Sequence, residues 1–283
     1  MAKSKYEYVK KFELSDALLP DTHLVVRLDG HRFTKFVTEH DFVKPNDERG
    51  LQLMVQCARQ VMEQFSEVSM AYGQSDEFSF LLPANTTLYN RRASKIQSSF
   101  ASLFASTFVL FWPEHFPDKK LRYPPFFDAR VVPYPSGQHV RDYFSWRQAD
   151  CHINNLYNTC FWNLVNSGSS KQEAQQLLKR TSAGDKNELL FTRFATNYND
   201  LPQRFRKGTV LCRAGPAARP PPPLPPRGGQ GGPGAPLGDT KLAGRLRRHS
   251  SGQQLPAGAV AAAGSLSADC LAAWLGKGGS GGG

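Results

Sequence analysis

Acidic side chains stand at two turns of the chain where they could hold divalent cations. Asp29 ends an apolar run and precedes Gly30, whereas Asp76 and Glu77 lie between two further short apolar runs. Mg²⁺ prefers oxygen ligands and is usually completed by waters and substrate phosphates. Two such ions about 4 Å apart can activate an attacking hydroxyl and stabilise a leaving oxygen. We therefore predict that Asp29, the Gly30 carbonyl and Asp76 bind two Mg²⁺ ions, with Glu77 as a further catalytic carboxylate.

The strands and helices around these acidic residues determine whether Asp29 lies near Asp76 and Glu77. Apolar patterning predicts strands at 24–28, 68–72, 78–82, 127–134 and 208–211, and helices at 44–65, 88–112, 137–164 and 185–194. Over the first 135 residues this is a βαββαβ order, which is typical of ferredoxin-like and polymerase-palm-like sheets. We predict an α/β fold with additional helices, one sheet face being open for a ligand. The first strand should then end beside the hairpin tip, near Asp76.

A structural interpretation of the same acids remains open. Asp29 taken alone is an ordinary residue of a strand-end turn, and Asp76 and Glu77 taken alone are a solvated hairpin tip. The metal interpretation is favoured because the fold would bring the two turns together.

Several basic and amide side chains are candidates for binding phosphate or RNA. Gly30 begins a turn whose backbone N–H groups could hold phosphates, and the candidate phosphate partners are Arg27, Lys44, Arg92 and Lys95. The long helix at 137–164 carries Arg147, Asp150, His152, Asn155 and Asn158 at spacings that favour one polar stripe. Such Asn and His side chains can bind the base edges of unstacked RNA. Ordinary loop residues, a solvated helix face and a structural histidine are the alternatives.

Composition divides the chain near residue 212. Gly, Pro, Ala and Arg make up 46 of the 71 residues from 213 to 283, and Trp274 is the only aromatic residue there. So few large apolar side chains cannot offset the entropy of ordering. We predict a catalytic body at 1–212 followed by a basic, disordered tail at 213–283. The run RPPPPLPPR at 219–227 also fits both orientations of an SH3 ligand, with a plain disordered segment as the favoured alternative.

Charge and cysteine content indicate the cellular setting. The chain has a formal net charge of +11, of which the tail supplies six, so a polyanionic partner is compatible with the body. The five cysteines form no CxxC pair, which favours reduced thiols. The longest apolar run, 100–112, is shorter than the ~20 residues of a membrane span. We expect a cytoplasmic protein without a membrane span, with mitochondrial association as the alternative.

Longer motifs around these residues carry a resemblance to one family. They are RLDG at 27–30, KPND at 44–47, AYGQSDEFSF at 71–80, RRASK at 91–95, SWRQADCHINNLYNT at 145–159 and DKNE at 185–188. Over about residues 1–211 the chain resembles tRNA-histidine guanylyltransferase. The resemblance implies 3′-to-5′ addition of one guanylate to the 5′ end of tRNA-His. ATP would activate the 5′-phosphate, the 3′-hydroxyl of GTP would displace AMP, and pyrophosphate would then be removed.

The resemblance also implies roles for particular residues and an assembly. Asp29, Gly30 and Asp76 would hold the metals, and GTP would be held by residues 29–34 together with Ser75 and Asp76. Residues 29–34, the GTP segment, are Asp29, Gly30, His31, Arg32, Phe33 and Thr34. His152, Asn155 and Lys186 would lie near the tRNA. The family is typically a homotetramer.

Two departures from the family pattern leave other functions open. The segment FFDAR at 126–130 lacks the glycines expected beside its Asp, and the match ends where the tail begins. An RNA-binding or subunit-interaction form without activity is therefore the second hypothesis. Repair of the 5′ ends of other tRNAs by the same site is the third.

Overall fold

The computed structural model describes residues 4–213 and the backbone of residues 260–263. Its strands are β1 His23–Gly30, β2 Met70–Gln74, β3 Glu77–Leu82, β4 Phe127–Tyr134, β5 Thr209–Arg213 and β6 Val260–Ala263. Its α-helices are α1 Phe33–Glu39, α2 Glu48–Gln64, α3 Ala93–His115, α4 Gly137–Asn166, α5 Lys171–Leu178, α6 Ala183–Phe194 and α7 Gln203–Lys207.

The six described strands form one sheet in the order β4-β1-β3-β2-β5-β6, and every pair in it is antiparallel. The first four strands with α2 and α3 reproduce the predicted βαββαβ order. The α/β ferredoxin-like prediction is therefore confirmed. In this order β1 is central, which places its carboxyl end beside the β2–β3 hairpin.

The larger core lies between the sheet and helices α2 and α3. Successive side chains of a strand point to opposite faces, so Leu24, Val26 and Leu28 of β1 all point towards these helices. They join buried aromatic rings such as Phe100 and Phe104 of α3. The apolar residues that β1 places on this face, together with the buried apolar residues of α2 and α3, account for this layer.

The second face of the sheet is covered by α4, which corrects the expectation of an open face. Val25, Leu81 and Tyr72 on this face are buried against Val140 and Phe144 of α4. The strands are apolar on both sides over most of their length, so a second layer must cover them. Towards the end that carries Asp29 this face becomes polar, with Arg27, Asp29 and Glu77.

The first turn of the predicted helix at 88–112 has a different structure. Residues Leu88–Arg91 form a 3₁₀ turn, and α3 begins at Ala93. Tyr89, Asn90 and Arg91 have positive φ angles of 50°, 53° and 58°. The buried Arg91 guanidinium donates to carbonyl oxygens of two segments that precede this turn, including those of Leu18 and Ala84. These bonds stabilise a bend that hydrophobic periodicity does not reveal.

Only five residues of the predicted tail are described, namely Arg213 at the end of β5 and residues 260–263. Residues 260–263 form β6 and pair with β5, so this short stretch differs from the prediction of a tail without structure. The remainder, including the proline-rich run at 219–227, lies outside the described residues. The division into body and tail otherwise stays a prediction.

Gly208 allows β5 to start next to the β2–β3 hairpin, and its replacement tests this close approach. Its φ is +77° and its ψ −169°, a region that is essentially restricted to glycine. A Cβ there would lie 2.6 Å from the Gly73 carbonyl oxygen. We expect Gly208→Ala to lower the free energy of unfolding by about 3 kcal/mol or more, measured by urea denaturation.

Gly168→Ala is the matched control. Gly168 also has a positive φ, +104°, but a Cβ there would meet nothing within 4 Å. Backbone strain alone should cost about 1 kcal/mol. Equal losses in the two variants would contradict the importance of the contact with Gly73.

Candidate active site

Antiparallel pairing of β1 with β3 brings the two acidic turns to one end of the sheet. Asp29 lies opposite Glu77 in this pair, and Ser75 and Asp76 form the two-residue turn before Glu77. The Gly30 N–H donates to the Asp76 carbonyl oxygen at 3.0 Å. Ser75 takes a left-handed φ of 49°, a conformation that costs energy for a residue with a side chain. The structure thus places Asp29, Gly30 and Asp76 together, as the metal hypothesis requires.

Gly30 is held in a space that no larger residue fits. A Cβ there would lie 2.6 Å from the Phe33 ring and 3.1 Å from the Asp76 Cβ. This close approach allows the chain to turn directly from β1 into α1 while Asp76 stays beside it.

The register produces a row of carboxylates beside a row of arginines. Asp29 lies opposite Asp128 of β4 on one side and Glu77 of β3 on the other. Like charges placed directly opposite each other destabilise a sheet. Arg27 precedes Asp29 by two residues and Arg130 follows Asp128 by two, so the two arginines face each other and supply the opposite charge. One nitrogen of Arg27, Nη2, lies 2.6 Å from Asp29 Oδ2 and 2.7 Å from Glu77 Oε2.

Among the described residues no arginine pairs with Asp76, whose negative charge is therefore destabilised. Surrounding protein atoms remove water from its partly exposed carboxyl and raise its pKa from 3.8 to about 6, while a hydrogen bond from Ser75 opposes the shift. The negative charges of Asp29 and Glu77 raise the pKa further. A cation placed between Asp29 and Asp76 would remove this cost.

Glu77 is buried, with a side chain 7 % exposed, and is bound to basic groups on both sides. Besides Arg27, its oxygens accept from Arg147 Nη1 of α4 at 3.1 and 3.3 Å. Gln74 Nε2 donates to the same carboxylate at 3.3 Å. The oxygens of Glu77 are thus held inside the protein by the two arginines, and its role as a catalytic carboxylate stays a prediction.

The segment predicted to bind GTP, residues 29–34, begins at this site. Its residues differ in burial and in hydrogen bonding. The Gly30 and His31 N–H groups already donate to the carbonyls of Asp76 and Phe126. Phe33 is buried among the aromatic rings of the core. Arg32 and Thr34 line an open depression along α1, and His31 is exposed and stacked on Phe126 at 4.5 Å. His31, Arg32 and Thr34 are thus the accessible members of the segment.

The predicted phosphate-binding residues of α3 lie far from the carboxylates. Arg92 forms an isolated bridge with Ala17, which precedes the amino end of β1, whereas Asp29 is at the carboxyl end. Eight residues of strand span roughly 25 Å. Arg92 pairs with Asp16 at 3.3 Å, and Lys95 lies over the Tyr89 ring. Within one chain these two residues are outside the Asp29 site.

Lys44 lies at a third position, against α4. Its ammonium is 5.8 Å from the centre of the Trp162 ring, and Lys171 lies 5.9 Å from the same ring. Desolvation lowers the pKa of Lys44, and the positive charge of Lys171 adds to that effect, whereas Asp47 opposes it. The structure thus gives Lys44 a partly buried site beside α4.

The three predicted tRNA residues differ in accessibility. His152 is exposed, with its ring 5.5 Å from that of Tyr198, so it is not a core histidine. Asn155 is buried and bonds to Asn46 and Tyr198, and the Lys186 ammonium donates to the Thr181 carbonyl at 2.8 Å. Of the three, His152 has the side chain that is open to a partner, while Asn155 and Lys186 hold protein segments together.

The part of the site that sequence patterns missed is the contact between Arg147 and Glu77. Arg147 was visible only as one member of a polar helix stripe, and nothing local connects α4 with the hairpin. The alternation of Arg27 and Asp29 along β1 was a usable signal, because residues two apart share a face. Gln74 could have been found in the same way from its position opposite Glu77.

Known proteins match the chain over this whole region. The family model described as tRNAHis guanylyltransferase matches residues 6–135, and the model of the Thg1 C-terminal domain matches residues 138–227. The second match extends past the boundary that composition places at residue 212.

Relatives and solved structures also match the tRNA(His) guanylyltransferase family. A probable tRNA(His) guanylyltransferase of Mus musculus is 56% identical over 212 residues, covering 75% of this chain and 71% of that protein. The enzyme of Debaryomyces hansenii is 52% identical over 216 residues, covering 75% and 82%. The crystal structure of the Saccharomyces cerevisiae enzyme superposes with a TM-score of 0.71 at 43% identity, covering 74% of this chain and 93% of that chain.

The class of protein defined by this fold and these relatives is that of the nucleotidyltransferases. Within this class, the chain belongs to the tRNA(His) guanylyltransferase family. The resemblance inferred from the motifs is confirmed.

The raised pKa of Asp76 predicts that its neutralisation stabilises the metal-free protein. Since the folded-state pKa of about 6 exceeds 3.8, stability is lost as pH rises between these values. Asp76→Asn should therefore raise the free energy of unfolding above pH 6, by at most about 3 kcal/mol. The gain should vanish below about pH 4. Urea denaturation in EDTA across this range measures it.

Asp128→Asn is the control for this pH dependence. Its side chain is 55% exposed and pairs with Arg130, so its replacement should change stability by about 0.5 kcal/mol or less. A loss of stability in Asp76→Asn at pH 8 would contradict the electrostatic cost assigned to Asp76.

Proposed function

We propose that this protein adds one guanylate to the 5′ end of tRNA-His. In the first step the 5′-phosphate attacks ATP, forming an adenylylated RNA and releasing pyrophosphate. The 3′-hydroxyl of GTP then attacks the activated phosphate and AMP leaves. Removal of pyrophosphate from the new 5′ triphosphate completes the reaction. The observation that carries this proposal is the meeting of Asp29 and Asp76 at one end of the sheet.

The comparisons support both the substrate and the nucleotides. The relatives from Mus musculus and Debaryomyces hansenii are named for tRNA(His) guanylyl transfer. A bacterial Thg1-like protein solved in complex with ATP superposes with a TM-score of 0.62 at 25% identity, covering 72% of this chain and 85% of that chain. We infer that ATP and GTP are the nucleotide substrates here.

The residues at the sheet end fit the two Mg²⁺ ions that the family pattern implies. Within the described residues, no cluster of three or more His, Cys, Asp or Glu side chains is arranged to hold a metal. Asp29, Asp76 and the Gly30 carbonyl instead form a small oxygen donor set, which suits Mg²⁺ because it keeps waters and binds substrate phosphates. The raised pKa of Asp76 supports a site built for a cation. When bound, such ions activate the attacking oxygen and stabilise the leaving one.

The protein groups orient the reactants around this site. Arg27 fixes the Asp29 carboxylate by an ion pair at 2.6 Å, and Gly30 and Ser75 shape the turns on either side. We assign the GTP contacts to the accessible members of residues 29–34, with Ser75 and Asp76 beside them. Lys44 is proposed to bind phosphate near α4. Arg92 and Lys95 could reach a nucleotide only if a second subunit supplied them, which accords with the proposed homotetramer.

His152 is the residue of α4 that we propose contacts the tRNA. Its imidazole is exposed on the same helix that carries Arg147. Exposed imidazole and amide groups can stack on and hydrogen-bond to unstacked bases. Asn155 and Lys186 would support that surface from inside.

Other aspects of the proposal concern the setting of the protein. Among the described helices none is long and apolar enough to cross a membrane. We propose a cytoplasmic enzyme, with mitochondrial association as the alternative. An SH3-type partner for residues 219–227 belongs to the same set of proposals and lies outside the described residues.

Removal of either metal-site charge should abolish the reaction while the fold is kept. With 5′-phosphorylated tRNA-His, Mg²⁺, ATP and labelled GTP, Asp29→Asn and Asp76→Asn should each lower guanylate addition by at least about 100-fold. Asp128→Asn, on the same sheet face but paired with Arg130, should retain activity within about threefold. Circular dichroism would verify folding of all three.

The guanylate-addition assay also distinguishes the proposed function from the two alternative functions. Near-normal addition in Asp29→Asn or Asp76→Asn would contradict the two-metal site. No addition by the unaltered chain would favour the inactive RNA-binding form, and addition to other 5′-truncated tRNAs would favour repair.

His152→Ala should affect the RNA and not the nucleotide. Because the ring is exposed, the melting temperature should change little, whereas KM for tRNA-His should rise about tenfold with KM for GTP unchanged. Ile153→Ala, the adjacent residue with 62% exposure, is the control. An unaltered KM for tRNA in His152→Ala would refute the assignment.

A further inference from the structure

We propose that Arg147 of α4 is a positioning residue for the metal site and acts on Asp29 through Glu77 and Arg27. The inference rests on the proposed function in one respect: Asp29 is taken to be a metal ligand. Arg147 itself does not touch Asp29, so its effect must pass through the two side chains between them.

A chain of alternating charges connects α4 with the end of β1. Asp29 pairs with Arg27 at 2.6 Å, Arg27 with Glu77 at 2.7 Å, and Glu77 with Arg147 at 3.1 Å. Asp150, one turn further along α4, lies 3.4 Å from Arg147. Exposure falls from 35% at Asp29 to 5% at Arg147. Asp29 and Asp150 are thus the more exposed ends of the chain, and Glu77 and Arg147 are its buried middle.

The arrangement leaves each group few alternative partners. Arg27 uses one nitrogen, Nη2, for both Asp29 and Glu77, and its buried Nε has no hydrogen-bond partner among the described residues. Glu77 is bound to Arg147 and Gln74 as well as to Arg27. Nearby, Ser79 and Tyr143 bond at 2.7 Å and tie β3 to α4 beside the cluster. Paired charges in such a setting are held firmly.

Removal of Arg147 should therefore move Asp29. Glu77 would remain buried with a negative charge and with Arg27 as its single ion-pair partner in the cluster. One nitrogen of Arg27 binds both carboxylates. A stronger attraction between Glu77 and Arg27 therefore moves the Arg27 guanidinium away from Asp29. The Asp29 carboxylate then loses the contact that fixes its orientation. Loss of such supporting contacts typically weakens metal binding 10- to 100-fold.

The test measures metal binding directly on the full chain. Mn²⁺ is titrated into protein saturated with GTP, and the free ion is followed by electron paramagnetic resonance. We expect Arg147→Met to raise the Mn²⁺ dissociation constant at least tenfold, and Arg147→Lys, which keeps one charge for Glu77, to raise it less. Guanylate addition should show the same order in the Mn²⁺ concentration giving half-maximal rate.

Arg91→Met is the matched control. Arg91 is equally enclosed, but it binds carbonyl oxygens at the opposite end of β1, including those of Leu19 and Thr22. Its replacement should lower the melting temperature and leave the Mn²⁺ dissociation constant within twofold. This separates a loss of positioning from a general loss of stability.

The outcomes distinguish this inference from the proposed function. A dissociation constant within twofold of the unaltered protein in Arg147→Met, or an equal change in Arg91→Met, overturns the positioning role. If no variant adds guanylate but the order of Mn²⁺ affinities holds, the positioning role is supported and the proposed function fails.

Discussion

The crowding of carboxylates at the end of β1 is the electrostatic constraint on which the rest of the site depends. The sheet register places Asp128, Asp29 and Glu77 side by side, and Asp76 stands at the adjacent turn. Such a group is unstable without compensating charge. Arginines compensate the three acids in register, whereas no arginine within the described part of the chain pairs with Asp76, which keeps a raised pKa. The negative charge of Asp76 is therefore the one that a bound cation would stabilise.

The fold supplies the geometry that this crowding needs. Antiparallel pairing of β1 with β3 and a two-residue hairpin turn put Asp76 beside Gly30 without any long loop. Helix α4 covers the second sheet face and carries Arg147 to the buried side of Glu77. The outer layers therefore do more than bury apolar surface, since one of them supplies the positive charge that pairs with Glu77. This connects the motif around residue 147 to the motif around residue 77, which are far apart in sequence.

Local patterns predicted five of the six described strands, four of the seven described α-helices and the meeting of Asp29 with Asp76. Alternation along β1 and the hairpin position of Ser75 are local signals, and the βαββαβ order then determines which strand ends are neighbours. The cover provided by α4, the inward position of Glu77 and the distance of Arg92 from Asp29 were not accessible in this way. Each depends on long-range packing of an element whose own periodicity does not reveal its neighbour.

The measurement that tests this site most directly is a crystal structure of the chain with Mn²⁺ and a non-hydrolysable GTP analogue, with the ions located by anomalous scattering. The electrostatics described above predict peaks coordinated by Asp29, Asp76 and the Gly30 carbonyl. Glu77 should remain bound to Arg27 and Arg147. An ion coordinated by Glu77, or ions placed away from Asp76, would contradict the assignment of Asp29, Asp76 and the Gly30 carbonyl as the metal ligands.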